Sequence, residues 1–141
     1  MKVKSSRKYR IIEHTADIGL IAKGQNLAQA FANAGIGMFS LITDLRKIKK
    51  TVTKFVEVSE DGPELLLFEW LNVLLYYFDT QNLIFRHIVV KNFSSTNLIA
   101  ECIGEPFDYN RHTINNSVKS ATMHLINVDE GKNSVRVIFD I

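Results

Sequence analysis

A histidine and a carboxylate lie close together in a polar turn near the start of the chain, His14-Thr15-Ala16-Asp17. Apolar residues precede this turn, and a second apolar run from Ile18 to Ala22 follows it, so we expect strands on both sides. A turn held between strands can present chemical groups both rigidly and accessibly. His and Asp are also ordinary turn residues, and the pair alone is more often structural than functional.

A second set of polar side chains lies on a predicted helix over residues 64–79, which is apolar on nearly all sides and should be largely buried. Glu69, Asn72 and Asp79 fall on one stripe of this helix at helical spacing. A polar stripe on a buried helix faces a rim, a cavity or a partner. A half-exposed edge explains Glu69 equally well, because acids are seldom fully buried without a partner.

Hydrophobic periodicity predicts two long helices and about seven strands. The first helix begins near Asn26, which can cap it, with Gln29 three residues later as in a capping box, and the second helix opens at Pro63. Beyond the strands around the first turn, strand-like runs cover residues 51–59, 83–93, 98–103, 118–128 and 135–141, and residues 104–116 read as a long loop. Hairpin-length connections dominate. We therefore expect one α+β domain over residues 1–141, with a mixed, mainly antiparallel sheet carrying both helices on one face.

The composition is that of an ordinary folded protein of 141 residues, with 46% hydrophobic and 23% charged residues. The formal net charge of +2 is too small to indicate nucleic-acid binding through bulk electrostatics. A short basic run, Arg46-Lys47-Ile48-Lys49-Lys50, is most simply a solvated loop, and contact with RNA or an acidic partner is its functional alternative.

Cysteine usage and hydropathy narrow the cellular location. Cys102 is the only cysteine, which excludes an internal disulfide and a multi-thiolate zinc site. It sits in an apolar run, which predicts a buried, inert thiol. The longest apolar segment, residues 65–78, contains Glu69 and Asn72 and is shorter than the ~20 residues of a membrane span. The basic N-terminal residues are not followed by an apolar core of signal-peptide length. We expect a cytoplasmic protein that contacts no membrane.

An ordered series of short motifs runs along almost the whole chain, from about Tyr9 to Ile141. The motifs are His14-Thr15-Ala16-Asp17-Ile18-Gly19, Ala30-Phe31, Met38-Phe39, Glu69-Trp70-Leu71-Asn72, Gly104-Glu105-Pro106, Asp108, Arg111-His112, Lys119, Thr122, His124 and Phe139-Asp140-Ile141. Each motif is weak alone, but the ordered set resembles the archease family, small proteins that assist tRNA-splicing RNA ligases of the RtcB type. Two positions depart from the family pattern, since Met123 and Ser120 stand where the family more often has Tyr and Ala.

The resemblance implies a helper rather than a catalyst. It would promote the ligase's guanylylation by GTP, restore multiple turnover, and reach tRNA indirectly through the ligase. The resemblance also implies a bound divalent metal, with Asp17, Asp140 and a main-chain or terminal oxygen of Ile141 as ligands. Such an oxygen-only set suits Ca²⁺ or Mg²⁺ better than Zn²⁺, and we expect Ca²⁺. Without the resemblance, an Asp140 that merely frays at the chain end would be the simpler interpretation.

Four further polar residues are candidates near this site: His14, Glu69, Lys119 and His124. The charge of Lys119 could meet a nucleotide phosphate or an acid on the ligase. A single histidine on a strand, such as His124, is more often a structural hydrogen-bonding group than a ligand.

Two other classes of function remain as alternatives. A metal-dependent phosphodiesterase or hydrolase could use Asp17, Asp140 and Glu69, although two-metal enzymes of this kind usually need more carboxylates. A chaperone-like RNA-processing module is the third hypothesis. The modest net charge and the absence of an aromatic-basic signature weigh against direct RNA recognition.

Overall fold

Two antiparallel sheets and two long helices make up the fold in the computed structural model, which describes residues 2–5, 8–13 and 16–141. The strands are β1 Lys2–Ser5, β2 Tyr9–Glu13, β3 Asp17–Lys23, β4 Val52–Ser59, β5 Leu83–Phe93, β6 Asn97–Pro106, β7 Ser120–Asp129 and β8 Ser134–Asp140. The helices are α1 Leu27–Ile42 and α2 Pro63–Gln81, with a short 3-10 helix at Leu45–Lys47.

The strands divide between a five-stranded sheet, ordered β1-β2-β3-β8-β7, and a three-stranded sheet, ordered β4-β6-β5. Helix α1 contacts β3 in the first sheet and β5 in the second, and α2 contacts β7. The predicted α+β class with two long helices and antiparallel pairing is confirmed. We expected a single mixed sheet, and the described strands instead form two sheets with antiparallel pairing only. Both helices contact the five-stranded sheet, α1 at β3 and β8 and α2 at β7. The reason for two sheets lies in α1, whose buried residues surround most of the helix and need a partner on more than one side.

Local sequence signals fix the ends of α1. The Asn26 side chain accepts a 2.8 Å hydrogen bond from Gln29 N–H, and the Gln29 side chain accepts one of 2.7 Å from Gln25 N–H. The predicted cap at Asn26 is therefore confirmed, although Gln29 accepts from Gln25 N–H and not from the Asn26 N–H that a capping box uses. The helix ends with Thr43 as its C-cap.

A glycine lets α1 lie close to its neighbours. A Cβ on Gly35 would come within 2.9 Å of terminal methyl groups of Leu74 and Ile88, so α1 packs closely against α2 and β5, and a larger residue would require these side chains to shift. Trp70 Nε1 donates a 2.9 Å hydrogen bond to Phe31 O nearby. Both contacts tie α2 to α1 in the core.

The connection before β7 closes the C-terminal end of α1, where helix carbonyls need partners. Asn115 N–H donates to Ile42 O at 2.7 Å, and Asn116 Nδ2 donates to Leu41 O at 2.8 Å. The expected loop over residues 104–116 is corrected at its start, because Gly104–Pro106 belongs to β6. Strand β1 was not predicted, since Lys2–Ser5 lacks an apolar pattern.

The buried apolar residues of the described chain form one cluster, to which both sheets and both helices contribute. Cys102 lies fully inside it, and burial raises the pKa of its thiol to about 12. The predicted burial of this thiol is confirmed, and its inertness stays a prediction. Among the described residues, no helix combines the length and hydropathy needed to cross a membrane. The assignment of residues 1–141 to one domain stays a prediction.

Candidate functional site

Asp17 and Asp140 lie directly opposite each other on neighbouring strands. They are register partners in the antiparallel pairing of β3 with β8. Directly opposed side chains have Cβ atoms about 4.5–5.5 Å apart and point to the same face of the sheet. Their neighbours Ile18 and Phe139 are buried in the core, so the two carboxylates occupy the opposite, outer face, where Asp17 is half-buried and Asp140 exposed.

Ser120 extends this pair into a row across three strands. It is the register partner of Asp140 in the pairing of β7 with β8, and its Oγ lies 3.5 Å from Asp140 Oδ2. The preceding backbone N–H, of Lys119, donates a 2.9 Å hydrogen bond to Asp140 O. Sequence reasoning noted Ser120 only as a departure from the family pattern. The signal that could have assigned it to the site is the pairing register, which is not local.

The structure places the remaining candidates at different distances from the carboxylate pair. Lys119 is exposed, and its main chain is held against Asp140. His124 is exposed in a bulge of β7, where four residues of β7 face one of β8. That bulge lies about three residues, or roughly 10 Å, along the sheet from Asp140. Ile141 packs its half-buried side chain against the core. His14 lies outside the described residues.

Glu69 is half-buried on α2, three residues before Asn72 and therefore on the same helix face. Asn72 is a residue whose role the sequence did not reveal. Its side chain accepts a hydrogen bond from Ala121 N–H at 2.9 Å and donates one to Ala121 O at 3.3 Å. Because β7 is an edge strand of the first sheet, no further strand pairs with the outer side of Ala121. Asn72 supplies the hydrogen-bond partners that such a strand would offer to the Ala121 N–H and C=O. It thereby fixes β7, and with it Ser120, beside the carboxylate pair.

The donors at this site are chemically suited to a hard cation. Asp17 and Asp140 offer carboxylate oxygens, and a backbone oxygen of Ile141 is adjacent in the chain. Mg²⁺ is commonly bound through one or two carboxylates, with waters and phosphates completing its coordination, whereas Ca²⁺ takes 6–8 oxygens. Two like charges directly opposed on a sheet destabilise it, and a cation between them would remove that cost.

Within the described part of the chain, no three His, Cys, Asp or Glu residues come together as a metal-binding group. Glu69 therefore does not join Asp17 and Asp140 in a three-carboxylate cluster there. The hydrolase alternative needs such a cluster, so the geometry does not favour it.

A buried carboxylate, Glu105, organises the segment after β6. It is 4% exposed and accepts hydrogen bonds of 2.6 Å from both Arg111 Nη2 and Lys49 N–H. His112 Nδ1 accepts from Asp108 N–H at 2.9 Å, and the buried His112 Nε2 lies 3.3 Å from Glu105 Oε2 without forming a hydrogen bond. Burial raises the pKa of Glu105, but the hydrogen bonds from Arg111 and Lys49 and the neighbouring positive charge hold it below its ordinary value. This part of the motif set is a structural brace.

The fold and site together define an α+β protein that carries two opposed carboxylates on the outer face of an antiparallel sheet. The profile of the Archease protein family matches residues 9–141. A protein archease of Sulfurisphaera tokodaii is 36% identical over 129 residues, which cover 90% of this chain and 92% of that protein. One of Sulfolobus acidocaldarius is 35% identical over 139 residues, with coverages of 95% and 99%. The chain belongs to the archease family.

Solved structures agree with this assignment. The solution structure of protein 1598 of Methanobacterium thermoautotrophicum is similar, with a TM-score of 0.78, 26% identity, and coverage of 96% of this chain and 100% of that one. A crystal structure from Thermotoga maritima, described as an archease and possible chaperone, has a TM-score of 0.55 and 17% identity, with coverages of 92% and 94%. At that identity the second likeness shows the fold alone.

Proposed function

We propose that this chain is a metal-binding accessory protein that activates a tRNA-splicing RNA ligase of the RtcB type. It would promote the ligase's GTP-dependent guanylylation and its multiple turnover in tRNA splicing and RNA repair. Membership of the archease family supports this function. The observation that carries the metal part is the register pairing of Asp17 with Asp140.

In this proposal, Asp17, Asp140 and a backbone oxygen of Ile141 hold a divalent cation, Ca²⁺ or Mg²⁺. The cation supplies positive charge on the outer face of the first sheet, where a phosphate or a carboxylate of the ligase complex can approach. Ser120 and the Lys119 N–H keep Asp140 in place from β7. The exposed Lys119 side chain adds a second positive charge beside the site.

The test is Asp17→Ala, assayed for ligase guanylylation and for multiple-turnover joining of broken RNA ends. Activation should be abolished while the fold persists, because removing one carboxylate also removes like-charge repulsion. Asp61→Ala, at an exposed acid before α2, is the matched control and should activate fully. Thermal melts with and without chelator check folding in the same samples.

Two results would overturn the proposal. If Asp17→Ala activates the ligase as well as the parent protein does, the carboxylate pair has no part in activation. If the purified parent protein cleaves RNA in the presence of metal, the hydrolase alternative gains support.

A further inference from the structure

An open groove with a volume of about 670 Å³ lies between the first turns of α1, the end of β3 and strand β5. It is separate from the acidic pair, because Asp17 and Asp140 stand at the other end of β3 and do not line it. Its basic residues are Lys8, Lys23, Arg86 and His87, all exposed. Among the described residues that line the groove there is no Asp or Glu.

Amide groups on the helix side of the groove present donors rather than acceptors. The side-chain oxygen Oδ1 of Asn26 already accepts from the backbone N–H of Gln29, and the side-chain oxygen Oε1 of Gln29 accepts from the backbone N–H of Gln25. Capping therefore uses the acceptor of each side chain and leaves the NH₂ groups of Asn26 and Gln29 to contact a ligand. No acidic residue occupies the first turn of α1, so the positive end of the helix dipole there is not neutralised by the helix itself.

A β-bulge in β5 directs two adjacent basic side chains outward. The register with β6 shifts between Phe85 and His87, which makes Arg86 the extra residue, and both Arg86 and His87 are exposed. Bulges commonly re-aim side chains in this way. The bulge depends on Gly104 in β6, since a Cβ there would overlap the carbonyl of Ile84.

Arg86 also connects the groove to the basic run at residues 46–50. Its Nη1 donates a 3.0 Å hydrogen bond to Ile48 O. Lys47, Lys49 and Lys50 are exposed, and within the described residues none of their side chains forms an ion pair. The positive surface therefore extends beyond the groove itself. A net charge of +2 conceals this, because it averages the basic groove with acids elsewhere.

We infer that the groove around Lys23, Arg86 and His87 binds the phosphodiester backbone of single-stranded RNA without reading its sequence. Cationic side chains, donor amides and an unneutralised helix N-terminus converge on one groove, which matches a ligand rich in anionic acceptors. No Phe, Tyr or Trp is among the described lining residues, so binding would rest on phosphate contacts, which carry no sequence information, rather than on base stacking. The extension along residues 46–50 suits a polymer better than a single nucleotide. The inference does not depend on ligase activation.

The test is fluorescence anisotropy of a labelled short single-stranded RNA titrated with the isolated protein. The variant is Lys23→Glu combined with His87→Glu, two exposed side chains for which no side-chain hydrogen bond is seen in the described structure. Lys54→Glu is the control, because Lys54 lies on β4, at the opposite edge of the same sheet, and does not line the groove. Circular dichroism melts verify that all variants are folded.

The parent protein and Lys54→Glu should bind RNA with affinity that falls steeply between about 50 and 200 mM salt. The double variant should bind about tenfold more weakly or worse, and its plot of log affinity against log salt should be shallower by about 0.7 for each lost phosphate contact. Binding that does not depend on base sequence is part of the expected result.

The inference would be overturned by absence of RNA binding by the parent protein at low salt or by equal binding by the double variant. Equally tight groove-dependent binding of polyglutamate would overturn it too, since that indicates an acidic protein partner. Displacement of RNA by micromolar GTP alone would also contradict it, since that indicates a mononucleotide site. Asp17→Ala should bind RNA normally. A negative result in the RNA-binding test therefore leaves the proposed ligase activation untouched, and a negative result in the activation assay leaves RNA binding untouched.

Discussion

The side chain of Asn72 on α2 forms hydrogen bonds with both backbone groups of Ala121 on β7. Asn72 Oδ1 accepts from the Ala121 N–H at 2.9 Å, and Asn72 Nδ2 donates to the Ala121 C=O at 3.3 Å. A side-chain amide thus replaces the neighbouring strand that an edge strand lacks. One residue before Ala121 stands Ser120, the register partner of Asp140. The contact between Asn72 and Ala121 therefore links the helix layer to the candidate metal site.

Asn72→Ala should destabilise the protein by about 1–3 kcal/mol, because two backbone groups of Ala121 lose their partners. Hydrogen exchange at the Ala121 amide should accelerate more than exchange in β3. Urea denaturation and exchange measured by NMR are the checks. Asn92→Ala, at an exposed asparagine of β5, is the control and should change little. Unaltered protection at Ala121 would show that the amide contact does not hold the edge strand.

Leu74→Ala should cost about 2–5 kcal/mol, because Leu74 is fully buried and its removal leaves a cavity beside Gly35. Ligase activation should fall only as far as the folded population falls. Tyr76→Ala, at a side chain that is 61% exposed, should stay within about 0.5 kcal/mol of the parent protein. Loss of activation at a temperature where Leu74→Ala is fully folded would contradict a purely structural role.

Glu105 should make the protein sensitive to acid. Its pKa is held below the ordinary value of 4.5, so its contribution to stability is fully present above that value. The contribution is lost as the pH falls from about 4.5 through the lower pKa of the folded state.

Denaturation midpoints measured across this pH range should fall less steeply for Glu105→Gln than for the parent protein. The variant should also be less stable at neutral pH, because Arg111 loses its ion pair with the buried Glu105 and keeps only the one with the more exposed Asp108. Glu130→Gln, at an exposed acid in the turn between β7 and β8, should follow the parent curve. If the denaturation midpoints of Glu105→Gln and of the parent protein fall with equal slope as the pH is lowered, the Glu105 carboxylate is not a source of acid sensitivity.

Gly104→Ala should destabilise the protein by about 3 kcal/mol or more, because the new Cβ would overlap backbone atoms of Ile84 that cannot move aside cheaply. If the variant folds, the bulge at Arg86 must shift, and RNA affinity should fall with it. Gly131→Ala is the control, since its Cβ would meet only Asp129 Oδ1 at an ordinary 3.5 Å. Full stability of Gly104→Ala in a thermal melt would show that the bulge adapts.

The sequence by itself determined the features that depend on neighbouring residues. The start of α1 follows from Asn26 and Gln29, and β5 runs over the predicted residues Leu83–Phe93. Capping and hydrophobic periodicity act within a turn or a strand, so they are legible without the fold. The apolar run around Cys102 likewise predicted its burial.

Only the tertiary structure decided which distant residues meet. Asp17 was conspicuous as a turn residue, and the archease resemblance implied that it shares a metal site with Asp140, but the residue pattern alone gave no reason to oppose the two. That contact depends on the pairing of β3 with β8, whose register is fixed by burying Ile18 and Phe139 on the core face. The partners of Asn72 and the basic groove also depend on packing between elements far apart in the chain. Local periodicity predicts which face of a helix or strand is apolar. Which other element packs against that face depends on how the whole core assembles.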